Sequence, residues 1–146
     1  MDRYVYVAIF TKDNEVYNIS FPDLPGCYTY GGTIEEAYNM AKEALELHLY
    51  GMEDDGDEIP SPTPAESIQI NDKKSFTTLV EAYMPLVRSQ MLNKSVKKTL
   101  TIPKWLNDLA EKHNVNFSQL LQDSLKNYLG VYDHKHLFEN KAAYKK

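Results

Sequence analysis

Hydrophobic and polar positions change period three times along this chain, and each change predicts a new element. Tyr4-Val5-Tyr6-Val7-Ala8-Ile9-Phe10 is rich in β-branched and aromatic residues and reads as a strand. Lys12-Asp13-Asn14-Glu15 reads as a turn and residues 16–21 as a second strand, so the pair forms a hairpin. Pro22-Asp23-Leu24-Pro25-Gly26 is a rigid corner. Cys27-Tyr28-Thr29-Tyr30 follows as a third short strand, ended by Gly31-Gly32. The period then becomes helical: Ile34, Ala37, Tyr38, Ala41, Ala44, Leu45 and His48 form one apolar stripe. Thr33 is the expected N-cap with Glu36 three residues on, a capping box, and Glu35 and Glu36 suit the positive end of a helix. Gly51 is the expected helix stop. Residues 51–67 are expected as a loop, acidic at Glu53-Asp54-Asp55-Gly56-Asp57-Glu58 and then carrying Pro60, Pro62 and Pro64. Residues 67–70 and 76–84 read as strands, and 85–94 as a connector.

From residue 95 the period is two again. Ser95, Lys97, Thr99 and Thr101 alternate with Val96, Lys98, Leu100 and Ile102. Pro103 ends this strand and sits well in the first turn of a helix. Trp105, Leu106, Leu109, Ala110 and His113 share one helical face. Asn114 suits a left-handed helix end. Asn116 is a good N-cap with Gln119 three residues on. Phe117, Leu120, Leu121, Ser124, Leu125 and Tyr128 make a second stripe, closed by Gly130. A strand polar on one face, then Pro, then two capped helices is the order of a ribbon-helix-helix unit. So small a unit has little core, and a lone strand lacks a ladder partner. The expected remedy is a twofold dimer whose two strands pair antiparallel. Leu100, Ile102, Trp105, Leu109, Leu121 and Leu125 would form its core. Such a ribbon fits the DNA major groove. Lys97, Thr99 and Thr101 would then read bases, and the amides near Asn116, Phe117 and Ser118 would clamp a phosphate.

Charge sharpens the division. Residues 1–92 hold 6 Lys+Arg against 16 Asp+Glu, a net of -10, whereas residues 93–146 hold 10 against 5, a net of +5. A basic half suits a polyanion. An acidic half repels nucleic acid and suits a basic protein. The expected architecture is α+β: a ββ-β-α-β domain over residues 1–84, a connector over 85–93, the β-α-α unit over 94–130 and a tail over 131–146. One sheet face of the first domain has no evident cover. Tyr4, Tyr6, Tyr17, Tyr28 and Tyr30 lie near it in sequence, although alternation alone does not say which of them face outward.

The stretches Phe21-Pro22-Asp23-Leu24-Pro25-Gly26-Cys27, Gly32-Thr33-Ile34-Glu35-Glu36-Ala37 and Ile59-Pro60-Ser61-Pro62 resemble those of HicB-type antitoxins. Their physical sense is that of corners and caps. The resemblance runs to about Gly130. It implies a partial RNase H-like N-terminal fold and a C-terminal DNA-binding unit, here of the ribbon-helix-helix rather than the helix-turn-helix kind. It further implies a partner, a small basic HicA-type toxin that cleaves mRNA, and repression of the chain's own operon at operator DNA. No individual toxin-contacting residue carries over.

Catalysis is not expected. An RNase H-like nuclease needs carboxylates converging on two metal ions. Asp13, Asp23 and the acids at 54–58 fall on turns or loops without an evident shared site, and the acidic loop lacks EF-hand spacing. Cys27 has no neighbouring base to activate it and reads as a packed thiol. His48 and His113 end apolar stripes and read as packed. His134 and His136 read as incidental in a loosely anchored tail. No metal or cofactor is expected. A single cysteine, no membrane-length apolar run and no signal-peptide pattern point to the cytoplasm. The competing reading is a ribbon-helix-helix regulator whose first domain senses a small ligand; a deep pocket would favour it and a flat uncovered sheet face would oppose it.

Overall fold

In the computed structural model, which describes residues 1–92 and 94–131, the chain divides into two units, Met1–Lys94 and Ser95–Lys146. In the first, β1 (Arg3–Asp13), β2 (Val16–Ser20), β3 (Tyr28–Gly31) and β4 (Ser75–Tyr83) form an antiparallel sheet in the order β3-β2-β1-β4. The β1–β2 turn has two residues, since Asp13 pairs with Val16. Asn14 takes φ 55°, a left-handed conformation that Asn tolerates better than most residues. The eleven-residue β1 is the central strand, paired with β2 at one side and along nearly its whole length with β4 at the other.

One helix, α1 (Ile34–Asp55), covers one face of this sheet. Its buried positions Ala37, Ala41, Leu45 and Leu49 recur every four residues and meet Tyr6, Ala8 and Phe10 of β1, Ile19 of β2, and Val80 and Ala82 of β4. The two alanines let the start of the helix approach closely. A Cβ on Gly31 would stand 2.5 Å from the Ala37 nitrogen, so only glycine fits where β3 passes under the first turn. Thr33 caps the helix by accepting the Glu36 amide at 3.1 Å, and the Glu36 carboxylate accepts the Gly32 amide at 2.9 Å. The buried Cys27 has its thiol pushed up to about 11 by burial, which leaves it protonated and inert at neutral pH.

Three expectations are corrected. Helix α1 does not stop at Gly51. It runs to Asp55 and ends at Gly56, whose φ is 74° and whose amide returns to Glu53 and Met52. One helix-interior glycine costs about 1 kcal/mol relative to alanine, too little to end a helix anchored by Leu45 and Leu49. Residues 67–70 form no strand; a single 3₁₀ turn occupies Ala65–Ser67 after the prolines. Both sides of central β1 are already taken by β2 and β4. Most of the expected connector is a helix, α2 (Met84–Met91). Pro85 starts it, as its missing N–H allows. Met84 and Val87 are buried in the core, so the first unit runs past residue 84.

Arg88 of α2 fastens this end of the unit. Its Nε donates to Glu53 Oε2 at 2.9 Å and its Nη2 to Glu53 Oε1 at 2.7 Å. The same guanidinium donates to Asp2 Oδ1 at 2.8 Å and to the Met1 carbonyl at 3.0 Å. These bonds hold the Glu53 carboxyl below its usual 4.5, with partial desolvation opposing.

The second unit contains α3 (Lys104–Lys112) and α4 (Phe117–Leu129). Pro103 precedes α3, and Asn114 turns the chain with φ 53°. Asn116 Oδ1 accepts the Gln119 amide at 3.1 Å, and Gly130 closes α4 at φ 65°. The tail beyond Val131, with His134 and His136, lies outside the described residues.

Arg88→Ala is expected to destabilise the protein by about 1–2 kcal/mol, the lower part of the charge-assisted range because the guanidinium is partly exposed. Glu53 has a lowered folded pKa, so its contribution is present above about pH 4.5 and is lost as pH falls through the lowered value. Urea titrations of wild type and Arg88→Ala should therefore differ at pH 7, and the difference should narrow as pH falls below about 4.5.

Candidate interaction surfaces

Strand register decides which tyrosines face outward. Tyr4 and Tyr6 alternate with Val5 and Val7 and point to the α1 side, where Tyr17 also packs against the core. Ser20 pairs with Tyr28 and Asn18 with Tyr30, which places Tyr28 and Tyr30 on the opposite face beside Thr11, Val5 and Leu79. Tyr28 is 70% exposed, Tyr30 68% and Leu79 56%. A shallow depression of about 370 Å³ lies between the two tyrosines and Thr11, Asn18 and Ser20. Rigid tyrosines among small polar side chains are well suited to protein contact.

A second concavity lies where the Pro-rich loop meets the sheet corner. Asp23 accepts the Thr63 amide at 2.9 Å and the Thr63 hydroxyl at 2.6 Å. The Tyr6 hydroxyl donates to the Pro60 carbonyl, and burial is the first cause pushing this phenol up to about 12, with Tyr4 and Asp23 adding to it. The motif residues thus tie a loop to a corner. Between loop, corner and the last turns of α1 is a cleft of about 720 Å³. Leu24, Pro25, Leu47, Met52 and Pro60 supply its apolar surface, and His48, Asp55, Asp57 and Glu58 its polar edge. A helix that stops at Gly51 leaves no such cleft, so the expected loop over residues 51–58 hides it; the continued helical spacing of Leu45, Leu49 and Met52 is the signal for it.

Asp13 ends β1, Asp23 is engaged by Thr63, and among the described residues no three His, Cys, Asp or Glu side chains are grouped to hold a metal ion. No described helix is long and apolar enough to cross a membrane.

In the second unit Lys97, Thr99 and Thr101 are all exposed, and residues 95–102 join no ladder with any described residue of the chain. Val96 is 88% exposed, and Leu100 and Ile102 are exposed too. Asn116 is the α4 cap, and Phe117 and Ser118 open its first turn. No residue of α3 or α4 is buried. Trp105, Leu109 and Leu125 are exposed and Leu121 is half-buried. Among the described residues of this unit the apolar stripe is therefore left uncovered by the chain's own core.

Asp23→Ala is expected to release the loop from the corner. The Thr63 amide should lose protection from hydrogen exchange, and stability should fall by about 1–2 kcal/mol, since the lost acceptor is a partly buried carboxylate.

Residues 5–125 match the family model described as the HicB-like antitoxin of bacterial toxin–antitoxin systems. An uncharacterised 14.9 kDa protein of Haemophilus phage HP1 is 31% identical over 102 residues, covering 70% of this chain and 75% of that one. A UPF0150 protein of Thermoplasma acidophilum is 36% identical over 67 residues, 45% of this chain and 96% of its own. Among solved structures, a toxin–antitoxin complex from Streptococcus pneumoniae is 29% identical with a TM-score of 0.53, covering 86% of this chain and 99% of that one. The chain therefore belongs to the HicB-like antitoxin family.

Proposed function

We propose that this antitoxin neutralises a small, basic, mRNA-cleaving ribonuclease of the HicA type through residues 1–94 and represses its own operon through residues 95–130. It acts in the cytoplasm, by binding and without catalysis. The first unit is read as a partial RNase H-like fold that presents a protein-binding surface. The second is read as one half of a ribbon-helix-helix dimer, in which Leu100, Ile102, Trp105, Leu109, Leu121 and Leu125 become buried against a second copy. In that dimer Lys97, Thr99 and Thr101 lie on the DNA-facing side of the ribbon, and the first turn of α4 at Asn116, Phe117 and Ser118 clamps a phosphate.

The observation that carries this reading is the state of the second unit. Its two helices have an apolar stripe and no buried residue, and the alternating segment before them has no ladder partner among the described residues of its own chain. A second copy supplies both deficits at once. The opposite net charges of the two halves support a basic protein for one and a polyanion for the other. The open sheet face with Tyr28 and Tyr30 supports a protein partner over a small ligand for the first unit.

The test is to co-express the chain with the product of the adjacent gene and to titrate the purified protein onto its own promoter DNA. A complex with a small basic protein that is toxic alone is expected. Lys97→Ala with Thr99→Ala should weaken promoter binding by about a thousand-fold or more, since a base contact contributes roughly 1–3 kcal/mol and four are lost across the dimer, with the toxin complex intact. Leu109→Glu should shift sedimentation toward monomer. Unchanged promoter affinity would remove Lys97 and Thr99 as base readers, and a monomeric wild type would remove the ribbon.

A further inference from the structure

The cleft at the C-terminal end of α1 breaks two rules of helix stability in one place. Asp54 and Asp55 occupy the last turn of α1, which contains no basic residue, although the negative end of the helix dipole disfavours carboxylates there. Gly51, inside the helix, lines the cleft with nothing within 4 Å of where a Cβ would sit, so alanine would fit and would favour the helix. Departures from local stability that converge on one concavity are a mark of function.

The nearby acids differ in how they are satisfied. Glu53 is held by Arg88 and Asp23 by Thr63. Asp55, Asp57 and Glu58, on the edge of the cleft, are exposed, and none of their carboxylates enters a described hydrogen bond or ion pair. Below them the wall is apolar, with Leu47, Met52 and Pro60. An apolar trough under unpaired carboxylates matches one kind of side chain: a long aliphatic stem ending in a cation.

We propose that this cleft receives a lysine or arginine of the basic toxin, with the stem against Leu47 and Met52 and the cation between Asp55, Asp57 and Glu58. A bare metal ion is disfavoured, because no three ligating side chains are grouped among the described residues. At about 720 Å³ the cleft has room for the side chain together with its flanking backbone. The incoming cation also neutralises the acidic helix end, which couples toxin binding to the stability of α1. This inference rests on the antitoxin reading and locates one of its contacts.

The experiment uses the full-length chain and the protein encoded by the adjacent gene, with affinity measured by calorimetry at low and high salt. Two variants separate charge from volume: Asp55→Asn/Asp57→Asn/Glu58→Gln keeps the shape of the cleft, and Gly51→Trp fills it from a position where a side chain meets nothing. Both should weaken toxin binding at least ten-fold at low salt, and the neutralised variant should lose most of the salt dependence. Both should melt at or above the wild-type temperature. Wild-type affinity in both variants overturns the cleft as a contact while leaving the antitoxin reading standing. Weakening by Gly51→Trp alone overturns the cationic occupant. Failure of the wild-type chain to bind that protein removes the antitoxin reading, and this inference with it.

Discussion

The seating of α1 on the sheet is the constraint from which the first unit follows. Tyr6, Ala8 and Phe10 of β1 are buried in one core with Ala41, Leu45 and Leu49, and the start of the helix comes so close to β3 that Gly31 admits no side chain. A helix held that tightly needs a defined entry, which Thr33 and Glu36 provide. It needs a defined exit too, which Gly56 and the Arg88–Glu53 pair provide. The strand order places β1 between β2 and β4, so its backbone groups are paired on both sides.

A single helix on a four-stranded sheet covers only one of its faces, and the other leaves Tyr28, Tyr30 and Leu79 exposed. Tyr28 and Tyr30 project from that face because they alternate with Thr29, whose partner Ile19 lies on the core side. The Pro-Asp-Leu-Pro-Gly corner has a structural role of the same order. Asp23 reaches 40 residues along the chain to fix Thr63, and that bond helps shape the cleft beside α1. Residues that look like a signature in sequence are, in the fold, ties between a corner and a loop.

The second unit presents the opposite case. Its helices are well specified locally, by Pro103, Asn114, Asn116 and Gly130, yet none of its described residues is buried. Local signals were enough to define both helices, because a cap or a left-handed turn is an interaction among neighbours. The same locality explains where sequence reading failed. Gly51 and Pro85 look like breaks when seen alone. The burial of Leu49 overrides the first, and Pro85 begins α2, where Met84 and Val87 join the core. Residues 67–70 had strand composition, yet the chain there forms only a 3₁₀ turn at Ala65–Ser67 and pairs with no strand.

By itself the sequence determined the element order through the hairpin, the capped α1 and the two C-terminal helices. It also determined the division of the chain into an acidic and a basic part. These are properties of periodicity, caps and composition, which act over a few residues or need no geometry. Only the tertiary structure decided which tyrosines face outward, that α1 continues to Asp55, that α2 belongs to the first unit, and that a cleft edged by Asp55, Asp57 and Glu58 exists. Each of these depends on strand register, on packing against a distant strand, or on a bond such as that between Asp23 and Thr63. The physical reason is that burial and register are set by partners far away in the chain, and their pull on a segment exceeds the weak preference of any one glycine or proline within it.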